Sequence, residues 1–172
     1  MLMGLIEKVG GPEKRDLALT AGGMVALLAG RKAAAVGMFA RGMAGLERSW
    51  REKHPEFNGG LRERWAWSER FYEETHQNET NRWLHVVGIP IIVAGTAGLF
   101  VFPAYRPMWA ASAGAFVVGW GLNFVGHGVF EKRAPAFADD PFGFIAGPMW
   151  DLKQFRSRFV GAEPTTPIEA AV

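Results

Sequence analysis

The chain has 172 residues, a formal net charge of +2 and no cysteine, which is enough sequence for one ordinary domain and too little for two large ones. The absence of cysteine excludes disulfides, thiolate ligands and a cysteine nucleophile, so any metal must be held by His, carboxylate or amide oxygen. Basic residues do not recur with interleaved aromatic residues, which argues against nucleic acid as a partner.

The first 60 residues predict a short helical hairpin followed by a linker. Two pieces rich in Ala and Gly, 17–30 and 33–46, are each 14 residues long and are separated by two basic residues. This length is short for a full membrane span, but small side chains let two helices pack closely in lipid. The polar stretch 49–60 contains Pro55 and a Gly pair, so we expect a linker there. The N-terminus lacks a basic region leading into an apolar core, so we expect no secretory signal.

Residues 61–77 predict an amphipathic helix that lies on the membrane surface or against the other helices. Charged residues occupy most positions of this helix outside one face. That face carries Leu61, Trp65, Ser68, Tyr72 and His76.

Two long apolar runs follow this helix. From Trp83 to Tyr105, 23 residues carry no Asp, Glu, Lys or Arg, and after Arg106 another 24, from Pro107 to Phe130, carry none either. A membrane-spanning helix needs roughly 20 mostly apolar residues. The turn between the runs contains two prolines, so the sequence predicts a central antiparallel transmembrane hairpin. The alternative is a buried helix pair in a soluble bundle.

The remaining sequence completes an all-α prediction. A second surface helix is expected within 138–159, and residues 161–172 are expected to form a disordered tail. We therefore divide the chain into an N-terminal hairpin with its linker, 1–60, a central domain, 61–160, and the tail.

An antiparallel hairpin brings together residues that are equidistant from its turn. Residue 106, at the centre of the turn, is the midpoint of His85 and His127, and also of Asn81 and Glu131. Asn81 and Glu131 lie one helical turn further from the hairpin turn than the histidines, on the same faces. The sequence therefore predicts that four polar groups converge between two otherwise apolar helices.

His76 precedes His85 by nine residues, which places the two side chains on opposite sides of a continuous helix. Because Asn favours caps and turns, a break at 78–81 would let His76 fold over the end of the hairpin. Ionisable groups at membrane depth usually mark a functional site, and neutral imidazole is the commonest metal ligand. We predict that His76, His85 and His127 hold Fe(II), Mn or Zn. Two alternatives stay open: haem ligation by His85 and His127, and a polar cluster that only locks the hairpin.

Basic residues are concentrated on the side of the hairpin opposite its turn. By the positive-inside rule that side is cytoplasmic, so we predict an integral membrane protein of the bacterial inner-membrane type whose site faces the cytoplasmic side. The basic residues on that side are Arg62, Arg64, Arg70, Arg82, Lys132, Arg133, Lys153, Arg156 and Arg158. The sequence leaves a homo-oligomer possible.

Two strings of residues resemble a known family. They are His-x4-Asn-x3-His-x2-Gly-x-Pro at 76–90 and NFVGHGVFEKRAPA at 123–136. With them the chain resembles the Mpo-like family, the fungal 2-hydroxy-fatty-acid dioxygenase family, over roughly 65–155. The GHGxFEKRxPA part is specific, whereas the family often has Pro where this chain has Glu79. The N-terminal 60 residues lie outside the resemblance.

The resemblance implies an integral membrane, Fe(II)-dependent enzyme that uses O2 to shorten a 2-hydroxy fatty acid by one carbon, with release of CO2. This reaction is fatty acid alpha-oxidation. The essential histidines of the family would map to His76, His85 and His127. A 2-hydroxy carboxylate can chelate iron through its hydroxyl and one carboxylate oxygen, and such a ligand set leaves the open positions that O2 requires.

Four further residues have expected roles beside this site. Glu131 is expected to be a ligand or to orient His127, and Asn81 to hydrogen-bond a ligand. Lys132 or Arg133 is expected to pair with the substrate carboxylate, or else with a lipid headgroup.

Overall fold

A computed structural model describes residues 11–161 of the chain. Six α-helices account for most of that range, and no β-strand occurs within it, so the predicted all-α class is confirmed for these residues. In chain order the helices are α1 (Gly11–Leu28), α2 (Lys32–Lys53), α3 (Leu61–Thr75), α4 (Glu79–Val101), α5 (Pro107–Val125) and α6 (Gly143–Val160). Except for Gly161, the predicted tail lies outside the described residues.

The second helix of the hairpin is not a regular α-helix through the whole apolar run that ends at Phe130. Helix α5 passes into a π-helical segment, Gly126–Glu131, and a short 3-10 turn, Ala136–Ala138, follows. Lys132 ends the π segment with a positive φ of 53°. A π segment adds a residue to a helical turn, and such insertions frequently occur at functional sites. Two glycines in the segment, Gly126 and Gly128, favour such irregular backbone.

The described part of the chain packs as two compact units. One contains the described chain up to Pro55 together with Ile91–Val118, and the other contains Glu56–Pro90 together with the described chain from Gly119 onward. Both units include parts of α4 and α5, so this division follows packing and does not test the predicted domain boundary at residue 60.

In the first unit, α1 and α2 form a close hairpin. A Cβ on Gly23 would lie 2.8 Å from the backbone nitrogen of Phe39 and 2.9 Å from the carbonyl oxygen of Ala35, so only glycine allows this approach. Helix α2 continues to Lys53, seven residues beyond the predicted end at 46. The added turns contain no Gly or Pro, and Arg51 pairs with Glu47 at 2.9 Å. The linker therefore starts at His54.

The turn between α1 and α2 is tied to the turn between α4 and α5 within the same unit. Lys32 Nζ donates to the carbonyl oxygens of Phe100 at 2.7 Å and Phe102 at 2.8 Å. The Tyr105 hydroxyl donates to the carbonyl oxygen of Ala29 at 2.8 Å. These three carbonyls lie at or just beyond the C-terminal ends of α1 and α4, where the helix itself offers them no N–H partner.

Two helical runs, Glu79–Val101 and Pro107–Glu131, are long and apolar enough to cross a membrane. In the most apolar stretch of each run, 44% and 22% respectively is buried. The two helices approach closely in the first unit, where a Cβ on Gly95 would lie 2.9 Å from the Ser112 carbonyl oxygen. Helix α4 continues through Pro90.

In the second unit, α3 packs on α6, and most of the predicted face is buried, since Ser68, Tyr72 and His76 are all buried. The face differs from the prediction at its N-terminal end. Leu61 is 77% exposed, whereas Arg64 is fully buried. Arg64 donates to the carboxylate of Asp140, with Nη1 at 3.1 Å from Oδ2, and this ion pair compensates the burial of both charges. Lys153 on α6 pairs with Glu69 on α3 at 2.7 Å. Helix α3 is therefore a packed helix whose buried face carries charge.

Candidate metal centre

Three imidazoles meet within the second unit. The ring centroids of His76 and His85 are 4.8 Å apart, those of His76 and His127 are 4.8 Å apart, and those of His85 and His127 are 4.7 Å apart. The rings are close to mutually perpendicular, with interplanar angles of 79° to 86°. One nitrogen from each ring lies within 4.8 Å of the other two, and all three residues are buried. The structure thus brings together the three histidines predicted to bind a metal.

Each histidine comes from a different backbone environment. His76 ends α3 with non-helical φ and ψ of −123° and 62°, and α4 begins at Glu79. The break that frees His76 from the helix therefore lies at 76–78, slightly before the predicted position. His85 lies on α4, and His127 lies in the π segment that follows α5.

Hydrogen bonds to backbone carbonyls orient two of the rings. His76 Nδ1 lies 2.7 Å from the carbonyl oxygen of Tyr72, and His85 Nδ1 lies 2.9 Å from that of Asn81. A carbonyl only accepts, so each Nδ1 carries the proton and each Nε2 keeps its lone pair. Metal-binding histidines are typically held in this way. The Nδ1 of His127 is buried and has no hydrogen-bond partner among the described residues.

The electrostatics of the cluster suit a cation. His76 Nε2 and His127 Nε2 are 3.2 Å apart. Two nitrogen ligands, each about 2.0–2.1 Å from one metal ion, are separated by roughly 2.8 to 3.4 Å at octahedral or tetrahedral angles. Burial, followed by the nearby His85 and His127, lowers the pKa of His76 from 6.5 to about 2, so this ring is neutral at pH 7. The donor set therefore fits a divalent transition metal such as Fe(II), Mn or Zn.

Glu131 lies beside the cluster and binds the chain where α3 and α4 separate. Its Oε1 accepts the backbone N–H of Gln77 at 3.1 Å, and its Oε2 accepts that of Asn78 at 3.0 Å. The side-chain amide of Asn81 also donates to Oε2, at 2.9 Å. The group of convergent ligand atoms among the described residues contains the three histidines and does not include Glu131. This carboxylate thus connects the π segment to the start of α4.

In the side chain of Asn81, one polar atom is hydrogen-bonded and the other is not, within the part of the chain that the structure describes. The residue is fully buried, and its Nδ2 donates to Glu131. Its Oδ1 is buried without a hydrogen-bond partner among the described residues and lies close to the backbone of Gly126. A buried acceptor of this kind is available to a donor from a bound molecule.

Lys132 and Arg133 lie next to the cluster in the sequence, but both residues are exposed. Their backbone N–H groups donate to the carbonyl oxygen of His127, at 3.3 Å for Arg133. Their backbone therefore helps to hold His127, and their binding of a substrate carboxylate stays a prediction.

Sequence reasoning assigned no role to a second buried polar pair. The hydroxyl of Tyr72 donates to Asp151 on α6, and the Tyr72 ring stacks on His76 with centroids 3.7 Å apart. Burial raises the pKa of Asp151 from 3.8 to about 7. Burial, followed by the charge of Asp151, raises the pKa of Tyr72 well above 10. The available sequence signal was the position of Tyr72, one helical turn before His76.

The three histidines lie within the part of the chain that matches a known protein family. The model of the family described as "Mpo1-like: 2-hydroxy-palmitic acid dioxygenase Mpo1-like" matches residues 63–159, more than half of the chain. The 2-hydroxy-palmitic acid dioxygenase MPO1 of Saccharomyces cerevisiae (strain ATCC 204508 / S288c) is 63% identical over 27 residues. That alignment spans 16% of this chain and 16% of the yeast protein. No solved structure matches the chain significantly.

Proposed function

Because the chain belongs to the Mpo1-like family, we propose that it is an Fe(II)-dependent membrane dioxygenase that acts on 2-hydroxy fatty acids. The proposed reaction is alpha-oxidation, in which the acid loses one carbon as CO2. One 2-hydroxy acid and one O2 balance with the shortened acid, CO2 and water, so the reaction needs no further reductant. The short alignment with the yeast enzyme supports the class of substrate.

The observation that carries the proposal is the convergence of three buried imidazoles. Hydrogen bonds hold the Nδ1 protons of His76 and His85 on carbonyl oxygens, so the Nε2 lone pairs of these two rings are available to a cation, and His127 Nε2 lies 3.2 Å from His76 Nε2. An Fe(II) ion bound by three nitrogens would keep positions for the 2-hydroxy acid and supply the redox chemistry with O2. The residues of the chain hold the site, orient the substrate and exclude water.

The residues around the histidines then have distinct roles in the proposal. Glu131 keeps His76 in place by binding the backbone that follows it. Asn81 offers its buried Oδ1 as an acceptor to the hydroxyl of the substrate. Lys132 and Arg133 contact lipid headgroups or the carboxylate at the surface of the protein.

A membrane location would supply the substrate directly. We propose that α4 and the run Pro107–Glu131 cross a bacterial-type inner membrane, with the histidines near its cytoplasmic side. An acyl chain in that leaflet would lie along exposed apolar groups near the cluster, such as Trp83 and Phe124. The basic residues at that end of the helices support this orientation.

The geometry of the three histidines gives less support to the alternative in which His85 and His127 bind haem. Bis-histidine ligation needs His85 and His127 on opposite faces of a macrocycle, yet the centroids of all three rings lie within 4.8 Å of one another. A purified sample with no Soret band would exclude this alternative.

The test of the proposal is metal analysis followed by turnover. Protein purified anaerobically should contain about one iron per chain, and its incubation with 2-hydroxyhexadecanoic acid and O2 should yield the acid that is one carbon shorter. Mass spectrometry of the acids and of labelled CO2 measures both products. Bound iron without chain shortening would contradict the substrate, and the absence of any metal would leave a polar cluster that only locks the helices.

A further inference from the structure

Arg82 is a half-buried cation beside the histidine cluster. It lies on α4, three residues before His85, so the two side chains are neighbours on the helix surface. Its guanidinium carbon lies 5.3 Å from the centroid of the Trp150 ring. A guanidinium over an aromatic face is held by a cation–π interaction, which orients the donor fork without consuming all of its N–H groups.

Trp150 belongs to the wall of the cluster. Its ring centroid is 5.8 Å from that of Tyr72, and the Tyr72 ring stacks on His76 with centroids 3.7 Å apart. Trp150 and Tyr72 form a buried apolar group together with Ala136. A continuous set of ring contacts therefore links the guanidinium of Arg82 to the ring of His76.

Arg82 has no ion pair with a carboxylate in the part of the chain that the structure describes. The charge of Arg82 acts on the nearby acid Asp151, but Asp151 accepts the hydroxyl of Tyr72 and forms no ion pair with Arg82. The other basic side chains of this unit that the structure describes are either paired, as Arg64 is with Asp140, or exposed, as Lys132 and Arg133 are. A partly desolvated guanidinium without a carboxylate partner is well suited to bind an anion, and its fork matches a carboxylate.

We propose that Arg82 binds the carboxylate of the 2-hydroxy acid. The inference rests on the proposed function and assigns this step to Arg82 in place of the exposed Lys132 and Arg133. The contact would hold the head of the substrate beside the three histidines, with the acyl chain directed along the apolar surface of α4. Arg82 is then a binding residue for the substrate and not a ligand of the metal.

The test compares 2-hydroxyhexadecanoic acid with its primary amide, which has nearly the same shape and no charge. Binding to iron-loaded protein is measured anaerobically by calorimetry, so that no turnover occurs. R82Q should lower the ratio of acid affinity to amide affinity by roughly ten- to a hundredfold, because a charge-assisted hydrogen bond is lost. Arg70 is exposed on α3, and R70Q should keep the wild-type ratio. Iron content should be unchanged in both variants.

R82K provides a second variant that keeps the charge and removes the fork, and it should lower the ratio by less than R82Q. A wild-type ratio in R82Q or, if that variant does not fold, in R82K would overturn the inference while leaving the proposed function intact. Loss of the preference in R133Q with its retention in R82Q would overturn it in favour of Arg133. If the iron-loaded wild-type protein binds no 2-hydroxy acid, the proposed function fails together with the inference.

Discussion

His76 Nε2 lies 3.2 Å from His127 Nε2, although the two residues are 51 positions apart in the sequence. Neither residue lies in a regular α-helix: His76 follows the end of α3, and His127 belongs to the π segment. Two local departures from the helix thus create the contact. His85, within α4, completes the triangle.

Replacing any of the three histidines with Ala should abolish stoichiometric metal binding, because two remaining imidazoles cannot hold the ion as tightly. Metal content of anaerobically purified protein, determined by inductively coupled plasma mass spectrometry, measures the effect. His54 is the matched control, since it stacks on Trp50 in the other unit, and H54A should retain the wild-type metal content. Full iron occupancy in H127A would contradict the assignment.

Substituting Glu131 with Gln should destabilise the protein by about 1–3 kcal/mol, because charge-assisted hydrogen bonds to Gln77, Asn78 and Asn81 are weakened. Thermal unfolding in detergent, followed by circular dichroism, measures this loss. E74Q is the control, since Glu74 is exposed on α3, and its effect should stay within about 0.5 kcal/mol. Equal unfolding temperatures for E131Q and E74Q would show that the carboxylate does not hold this break.

Asp151 should make the stability depend on pH. Its pKa is raised from 3.8 to about 7, so the folded state binds the proton more tightly than the unfolded state. The stabilisation by the protonated form is fully present below about pH 4 and is lost as the pH rises to about 7. The loss amounts to about 4 kcal/mol at most.

The measurement for Asp151 is the difference in unfolding free energy between the wild-type protein and D151N at several pH values from 4 to 8. Asn cannot titrate, so the difference should change across this window and stay constant above it. A difference that does not vary with pH would mean that Asp151 is not protonated in the folded protein.

Gly95→Ala should separate α4 from α5 in the first unit. The new Cβ would lie 2.7 Å from the Phe116 backbone nitrogen and 2.9 Å from the Ser112 carbonyl oxygen, and backbone atoms cannot move aside easily. We expect a loss of about 1–3 kcal/mol in unfolding free energy. A Cβ on Gly114 of α5 would meet no described atom within 4 Å, so G114A should be neutral or stabilise by about 0.5–1 kcal/mol. Similar effects of the two substitutions would contradict the close approach.

Several features followed from local sequence. The two uncharged runs predicted α4 and α5, and the Asn-rich segment after His76 predicted a break near the one observed. The resemblance in the GHGxFEKRxPA string predicted the family. Such features depend on hydrophobic periodicity, composition or short motifs, which can be read from the sequence without knowing its tertiary contacts.

Other features could not be predicted in this way. Leu61 was assigned to the same face of α3 as the buried residues Ser68 and Tyr72, yet it is exposed. Arg64 is buried instead, because Asp140, 76 residues later, supplies its counter-charge. The π segment was also missed, because a one-residue insertion leaves the apolar character of the run unchanged.

By itself, the sequence determined which segments are helical and apolar and which histidines lie at equal distances from the turn, since both depend on neighbours along the chain. Only the tertiary structure decided which nitrogens converge, that Glu131 binds backbone at the break, and that Arg82 lies over Trp150. Those relations depend on the rotation and separation of packed helices. A shift of one residue in the register of a helix would change these contacts without altering the hydrophobic pattern of the sequence.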